Sequence, residues 1–439
     1  MSKKELAPED AAVAAPARGL YYGWVVVGVG FTAAMLTYGI SYYSFSVFLK
    51  PMAAEFGWSR GATSLAMTFY SLVYGGLGMV MGTLTDRYGP RITVSIGAVL
   101  LGLGGVLMSR IDSLWQLYFC YAFFMGGALA TAWVPLSTTV SRWFVAKRGL
   151  AVGILAGGAG AAAILGAPLT TYLVAQFGWR QAYLILGVIA FVSIGITAQF
   201  LRHSPKSMGL QMPASENTSA GTAKSAAHEN VAPIDFTPWQ ALHTAQFWLL
   251  FVIFMTWGIA FVIPLIHTIS YATDLGLSSS VAATVMILIG LSSMISRVAV
   301  GAMVDRFGAK NVLLAALVFQ VLVMLSFIMA RNATSLYIVG ILYGVAYGAC
   351  VSAIPGLVSR LFGVAAMGAI FGIAYFGSGL GQSVGPPMAG YVYDITSSYE
   401  GAFLIGAGIL SFAALLTLLV RPPRRKEPLP ELASAGERK

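Results

Sequence analysis

Twelve long apolar runs, separated by short polar stretches, account for most of this 439-residue chain. A helix needs about 20 largely apolar residues to cross a bilayer core. Runs of that kind fall at 21–49, 62–84, 92–109, 113–140, 148–174 and 181–201, and again at 244–272, 279–303, 311–330, 335–360, 365–393 and 399–421. The pattern predicts an all-α membrane protein with twelve transmembrane helices in two pseudo-symmetric six-helix bundles, 21–201 and 242–421. The interval 202–241 carries Pro205, Pro213, Ser215, Thr218, Ser219, Gly221 and Ser225 and reads as a flexible cytoplasmic linker. Residues 1–20 and 422–439 read as cytoplasmic tails, the second rich in proline and charge and expected to be disordered.

The two bundles repeat. Gly82-Thr83-Leu84-Thr85-Asp86-Arg87-Tyr88-Gly89-Pro90-Arg91 follows the second run, and Gly301-Ala302-Met303-Val304-Asp305-Arg306-Phe307-Gly308-Ala309-Lys310 follows the eighth, 219 residues later. Agreement over ten residues at equivalent places points to an internal duplication. A weaker echo pairs Gly166-Ala167-Pro168 with Gly385-Pro386-Pro387. Gly82 and Gly301 permit close helix approach, while Asp86 and Asp305 can pair with basic groups or helix ends and latch one conformation. Arg87, Arg91 and Arg306 complete the motif; the alternative is a tight basic turn with no gating role. This repeated element resembles the loop signature of the major facilitator superfamily. The resemblance implies that superfamily's fold, two parallel halves with a substrate site near the membrane midplane.

Composition and charge support the membrane reading. Hydrophobic residues make up 58% of the chain and charged residues only 10%, against roughly 25% in a soluble domain, too few to cover a water-facing surface. The net charge of +10 raises the question of nucleic acid. Location answers it: 20 of the 26 Lys and Arg lie in tails and loops on one side, and Lys50, Arg60, Arg110, Arg180 and Arg331 on the other. This positive-inside bias puts both termini in the cytoplasm and implies no nucleic-acid partner. The N-terminal tail mixes Lys3 and Lys4 with Glu5, Glu9 and Asp10 and carries no cleavable signal, so the first run is a permanent helix. Cys120 and Cys350, both in apolar runs, read as packing residues rather than a disulfide or metal pair. A phosphate loop and a His-Glu-x-x-His zinc motif are both absent from the sequence, and Gly157-Gly158-Ala159-Gly160 follows no predicted strand. No cofactor, no metal and no enzyme activity are expected, and a monomer in a lipid bilayer is.

One cation remains inside the spans: Arg297, four residues before Gly301 and so about 6 Å along the helix from it. All sixteen Asp and Glu fall in tails, loops or helix ends, so no acidic side chain within a span neutralises it. An unpaired arginine in a membrane costs roughly 2.5–3.5 kcal/mol on insertion scales. The missing partner is then expected to be a substrate anion, since a guanidinium grips a carboxylate through two parallel hydrogen bonds. The competing readings are that Arg297 snorkels to the cytoplasmic edge or holds backbone carbonyls. His267, in the seventh run, could carry or sense a coupled proton, or be a hydrogen-bonded packing residue. Tyr42, Tyr43, Trp133, Tyr347 and Tyr375 lie mid-span, where cavity walls and lipid-facing or packing roles compete.

Within the superfamily the chain resembles the monocarboxylate porter group, which includes bacterial oxalate:formate exchangers and animal lactate carriers. Tyr21-Tyr22-Gly23-Trp24-Val25-Val26-Val27 and Phe56-Gly57-Trp58-Ser59-Arg60 are similar to bacterial members. The resemblance implies that Arg297 grips the substrate carboxylate, that Tyr347 bears on selectivity, that His267 lies near the cavity and that Pro135 lies by the site. Departures are informative. Ser293 stands where animal lactate carriers have an aspartate used in proton transfer, and Tyr43 where they have a lysine. Ser378 falls near the position of the oxalate exchanger's second cation. One cation suits a monocarboxylate, and Ala132, Trp133 and Val134 suggest a less polar or bulkier acid. The expected function is a secondary carrier for a small organic monocarboxylate in a bacterial cytoplasmic membrane, with a coupled proton or counter-anion as second partner; the alternative is an efflux carrier for drugs or other metabolites with the same fold.

Overall fold

The computed structural model describes residues 21–210 and 235–422. The tails expected at 1–20 and, Pro422 apart, at 422–439 lie outside the described residues. The first half opens with α1, which runs Tyr22–Tyr38, passes through a π turn at Gly39–Tyr43 and continues over Phe45–Phe56. It is followed by α2 (Arg60–Tyr88) and α3 (Pro90–Met108). Helix α4 is assembled from Leu114–Cys120, a π turn at Tyr121–Gly126, Gly127–Ala130 and, after a break, Trp133–Trp143. Arg148–Ala198 divides at Gly178, whose φ of 76° is open to glycine, into α5 (148–177) and α6 (179–198). The second half contains α7 (Ala245–Asp274), α8 (Ser279–Phe307), α9 (Ala309–Met329), α10 (Ala333–Phe362), α11 (Met367–Thr396) and α12 (Glu400–Leu419).

Among the described residues, ten helices are long and apolar enough to span a membrane, Arg148–Ala198 counting once. The 30-residue α11 is not among them. Its glycines, Pro386, Pro387, Ser378 and Gln382 lower its hydropathy because it faces other helices: a Cβ at Gly258 of α7 would stand 2.5 Å from the Ser378 carbonyl. Twelve helices in two sixes result.

Both copies of the repeated motif form the same corner. Gly89 (φ 85°) ends α2 and Gly308 (φ 82°) ends α8, left-handed positions that let the next helix start at once. These corners and both ends of the 202–241 connection lie on one side of the bundle, termed the linker face. Part of that connection is docked. The Asp235 carboxylate accepts from Val364 N (2.9 Å) and Ala365 N (3.1 Å), and Thr237 caps the short helix Pro238–Leu242. The expectation of a flexible linker is therefore corrected for 235–241, while 211–234 lie outside the described residues. On the opposite face each half has its own ion pair, Arg180 with Glu55 and Arg331 with Glu400.

The halves meet chiefly along two seams, α2 against α11 and α5 against α8. Glycine makes them close. A Cβ at Gly82 would stand 2.0 Å from the Gly368 carbonyl oxygen, and one at Gly149 would stand 2.2 Å from that of Gly301. The α5–α8 seam continues through Gly153, which faces the Arg297 carbonyl, and Gly160, which faces Met294.

Candidate functional site

At the linker end of each seam an aspartate from one half closes onto a helix N-terminus of the other. Asp86 accepts from Gly368 N (3.0 Å) and Ala369 N (2.7 Å) at the start of α11. Asp305 accepts from Gly149 N (2.6 Å) and Leu150 N (2.9 Å) at the start of α5. A carboxylate there satisfies unpaired backbone donors and the positive end of the helix dipole. Asp86 also bonds Arg142, which reaches across to the carbonyls of Val364 (3.2 Å) and Ala365 (3.2 Å). From the same face, Arg148 donates to Ser359 Oγ at 3.2 Å.

The motif's basic residues are not in this junction. Arg87 and Arg306 are exposed and lie over the neighbouring Tyr88 and Phe307 rings, and Arg91 bonds Gln199 within its own half. Arg142, Arg148, Gly149 and Gly368 join Asp86, Asp305, Gly82 and Gly301 instead. A second repeat could have revealed them: Ser141-Arg142-Trp143-Phe144 followed by Gly149 and Gly153 answers Ser359-Arg360-Leu361-Phe362 followed by Gly368 and Gly372. Replacing Asp86 by Asn should loosen this junction most, because it leaves the buried Arg142 without its ion-pair partner, a loss of roughly 3–5 kcal/mol for a fully buried pair. Faster thiol labelling of a cysteine placed at Ser359 is the expected readout. Asp305→Asn should shift labelling in the same direction.

Further along the α5–α8 seam sits Arg297. Helix α8 continues past Gly301 to Phe307, so Arg297 lies about 15 Å from its linker end. Only 2% of the residue is exposed, which removes the snorkelling reading. Its Nη1 donates to the Ala156 carbonyl of the other half (2.7 Å), its guanidinium lies 5.1 Å from the Tyr347 ring centroid, and its Nε is buried without an acceptor. The backbone-carbonyl reading is thus met at one nitrogen and not at Nε. No salt bridge among the described residues involves it. At the equivalent position of the first half, 219 residues earlier, the repeat has Gly78, so the cation breaks the internal symmetry.

Aromatic rings converge on it. The charge of Arg297 is felt by Tyr38 and Tyr43 of α1 and by Tyr375 of α11. Tyr74 of α2 and Tyr375 of α11 meet edge to face across their seam, ring centroids 6.5 Å apart, and Ser378 follows three residues on along α11. Ser378 accepts from Gln382 Nε2 (3.3 Å) and lies against α7, so it serves packing within α11. Trp133 is buried on α4 with its indole N–H unpartnered. His267 stands apart: its Nε2 is 3.2 Å from the Pro386 carbonyl and its ring packs on Tyr399, toward the opposite face and within the second half. The structure brings Arg297, Tyr43, Tyr347 and Tyr375 together and leaves His267 outside the group.

The family pattern of the Major Facilitator Superfamily matches residues 30–374 and, overlapping, 261–438. The chain belongs to the Major Facilitator Superfamily. Among its superfamily relatives, monocarboxylate transporter 13 of Rattus norvegicus is 26% identical over 442 residues, covering 95% of this chain and 97% of the relative. Monocarboxylate transporter 2 of Homo sapiens is 26% identical over 416 residues, covering 91% and 85%. The human organic anion transporter MFSD10 (TETRAN) shares the fold, with a TM-score of 0.67 at 14% identity over 90% of this chain and 99% of that one. This superfamily member is a multi-pass membrane transporter and not an enzyme, and it is similar to the monocarboxylate porters.

Proposed function

We propose that the chain is a secondary carrier for organic monocarboxylates, working by rocking of 21–201 against 242–421. One observation carries the reading: a buried guanidinium on the seam between the halves, with an unpartnered Nε and no acidic neighbour among the described residues. A carboxylate bound there would supply the missing charge and acceptor. The names of the monocarboxylate transporters to which the chain is similar point the same way. The positive-inside bias makes the linker face cytoplasmic, so the two aspartate junctions close the cytoplasmic gate in this state and the next step admits substrate from outside. The membrane is a bacterial cytoplasmic membrane in this reading.

Coupling follows from what the spans contain. With the acidic side chains of these helices confined to their ends and His267 apart from Arg297, the acid carries its own proton or exchanges for a second anion. Proteoliposomes separate these. Uptake of labelled lactate or benzoate driven by an inward proton gradient indicates symport, and uptake driven by internal unlabelled acid indicates exchange. Saturable uptake of monocarboxylates over dicarboxylates is the expected result. Transport of cationic drugs, with no saturable uptake of any acid, would sink the proposal in favour of an efflux carrier.

A further inference from the structure

The walls around Arg297 are ring faces, and their arrangement speaks to the cargo. Trp257 and Phe261 stack at 4.3 Å with planes 26° apart, and Phe261 and Tyr347 stack at 5.2 Å and 18°. Tyr343, four residues before Tyr347, keeps the same plane within 3°. The stack is held from behind. Gln320 of α9 accepts from the Trp257 indole at 3.2 Å and from Cys350 at 3.4 Å, and Tyr343 donates to the Phe261 carbonyl. Arg297 lies over Tyr347 at one end of this laminate.

The first half contributes Tyr38, Tyr42 and Tyr43, at and beside the π turn of α1. Tyr42 packs on the buried Tyr70, and Tyr347 on the buried Phe261 with the buried Arg297 over its ring, yet these two, Tyr38 and Tyr43 each keep part of their surface accessible. Side chains with that combination border an internal space. Tyr42 and Tyr43 meet edge to face at 5.2 Å, so the space has ring faces and ring edges on its first-half side.

We propose that the Arg297 site takes an aromatic monocarboxylate lacking an amino group, its carboxylate on the guanidinium and its ring among Tyr38, Tyr43 and Tyr375. The inference rests on the monocarboxylate reading and narrows it. A lactate-sized acid would leave these rings without a partner, whereas an aromatic ring gains about two- to tenfold in affinity per well-placed aromatic contact beyond its area burial. An amino acid is disfavoured, since its ammonium would enter a space whose charged wall is a cation, with the helices' carboxylates confined to their ends.

The test is titration of the purified protein with benzoate, cyclohexanecarboxylate, lactate and phenylalanine, on the parent chain and on Arg297→Lys, Tyr43→Leu and Tyr43→Phe. Expected are binding of benzoate at least about tenfold tighter than cyclohexanecarboxylate or lactate, and no competition by phenylalanine. Tyr43→Leu should shrink the preference for benzoate over cyclohexanecarboxylate about two- to tenfold, while Tyr43→Phe keeps it. Equal binding of benzoate, cyclohexanecarboxylate and lactate, still lost in Arg297→Lys, would overturn the aromatic assignment and leave the monocarboxylate reading standing. Competition by phenylalanine equal to that by benzoate would overturn the exclusion of amino acids. Binding of the acids unaffected by Arg297→Lys would overturn both readings.

Discussion

Alanine at Gly82 or Gly301 should cut transport by about one to two orders of magnitude while the purified protein stays folded. In this state a Cβ at Gly82 would stand 2.0 Å from the Gly368 carbonyl oxygen, and one at Gly301 would stand 2.4 Å from that of Gly149. Both obstacles are backbone, which cannot rotate away as a flexible side chain can. Overpacking of a close interface costs about 1–3 kcal/mol. The cost falls only on the state in which the halves touch at the linker face, so the population moves toward the state in which they separate there. Gly28→Ala is the control, because a Cβ at Gly28 meets nothing within 4 Å. Both natural cysteines are buried, so a single cysteine introduced at Ser359 can report the opening. Its labelling should rise in Gly82→Ala and Gly301→Ala and stay at the parent rate in Gly28→Ala. Parental transport and labelling in both variants would mean that the glycine seams are not where the halves part.

Those two glycines were legible in the sequence, and the reason is periodic. Each opens a ten-residue motif that recurs 219 residues on, and duplication exposes the positions that geometry demands in both copies. The left-handed corners at Gly89 and Gly308 follow from the same repeat. Arg142 was less legible. It stands 56 residues from Asp86 in the chain, and only the fold brings α4 to the end of α2. Arg87, Arg91 and Arg306 show the opposite failure: membership of a motif says nothing about which way a side chain leaves its helix. The motif's glycine and aspartate face the other half, and its arginines face away.

At the centre, Arg297 could be found by counting charges, because a lone cation in apolar spans is conspicuous. Its depth could not. The apolar run ends near Gly301, whereas α8 runs on to Phe307 and carries the arginine into the middle of the seam. The laminate behind Tyr347 was illegible for a different reason. Trp257, Phe261 and Gln320 look like ordinary apolar-helix residues, and the stacking of the two rings on Tyr347, with Gln320 holding the indole, arises only when α7, α9 and α10 pack together. His267 drew notice as an ionisable group in a span, yet its position on α7 is about 9 Å beyond Phe261, toward the opposite face.

The bond from Arg297 Nη1 to the Ala156 carbonyl crosses the seam, so the residue that should bind the anion also ties the halves together. An arriving carboxylate competes for that guanidinium, which offers a direct route from occupancy to rocking. Arg297→Ala should therefore abolish transport and weaken acid binding at least about thirtyfold, since truncating one partner of a buried charge pair costs about 2–5 kcal/mol. Stability should move the other way. In the empty protein the guanidinium is a buried charge without an acidic partner, at a cost of roughly 2.5–3.5 kcal/mol on insertion scales. Removing it should leave the unfolding temperature of the ligand-free protein unchanged or raised, and should erase the stabilisation that the acid confers on the parent chain. An arginine kept for architecture behaves differently: its loss would lower the unfolding temperature by several degrees whether or not acid is present. The comparison of ligand-free melting between the parent and Arg297→Ala thus distinguishes an arginine that holds the helices from one that awaits a carboxylate.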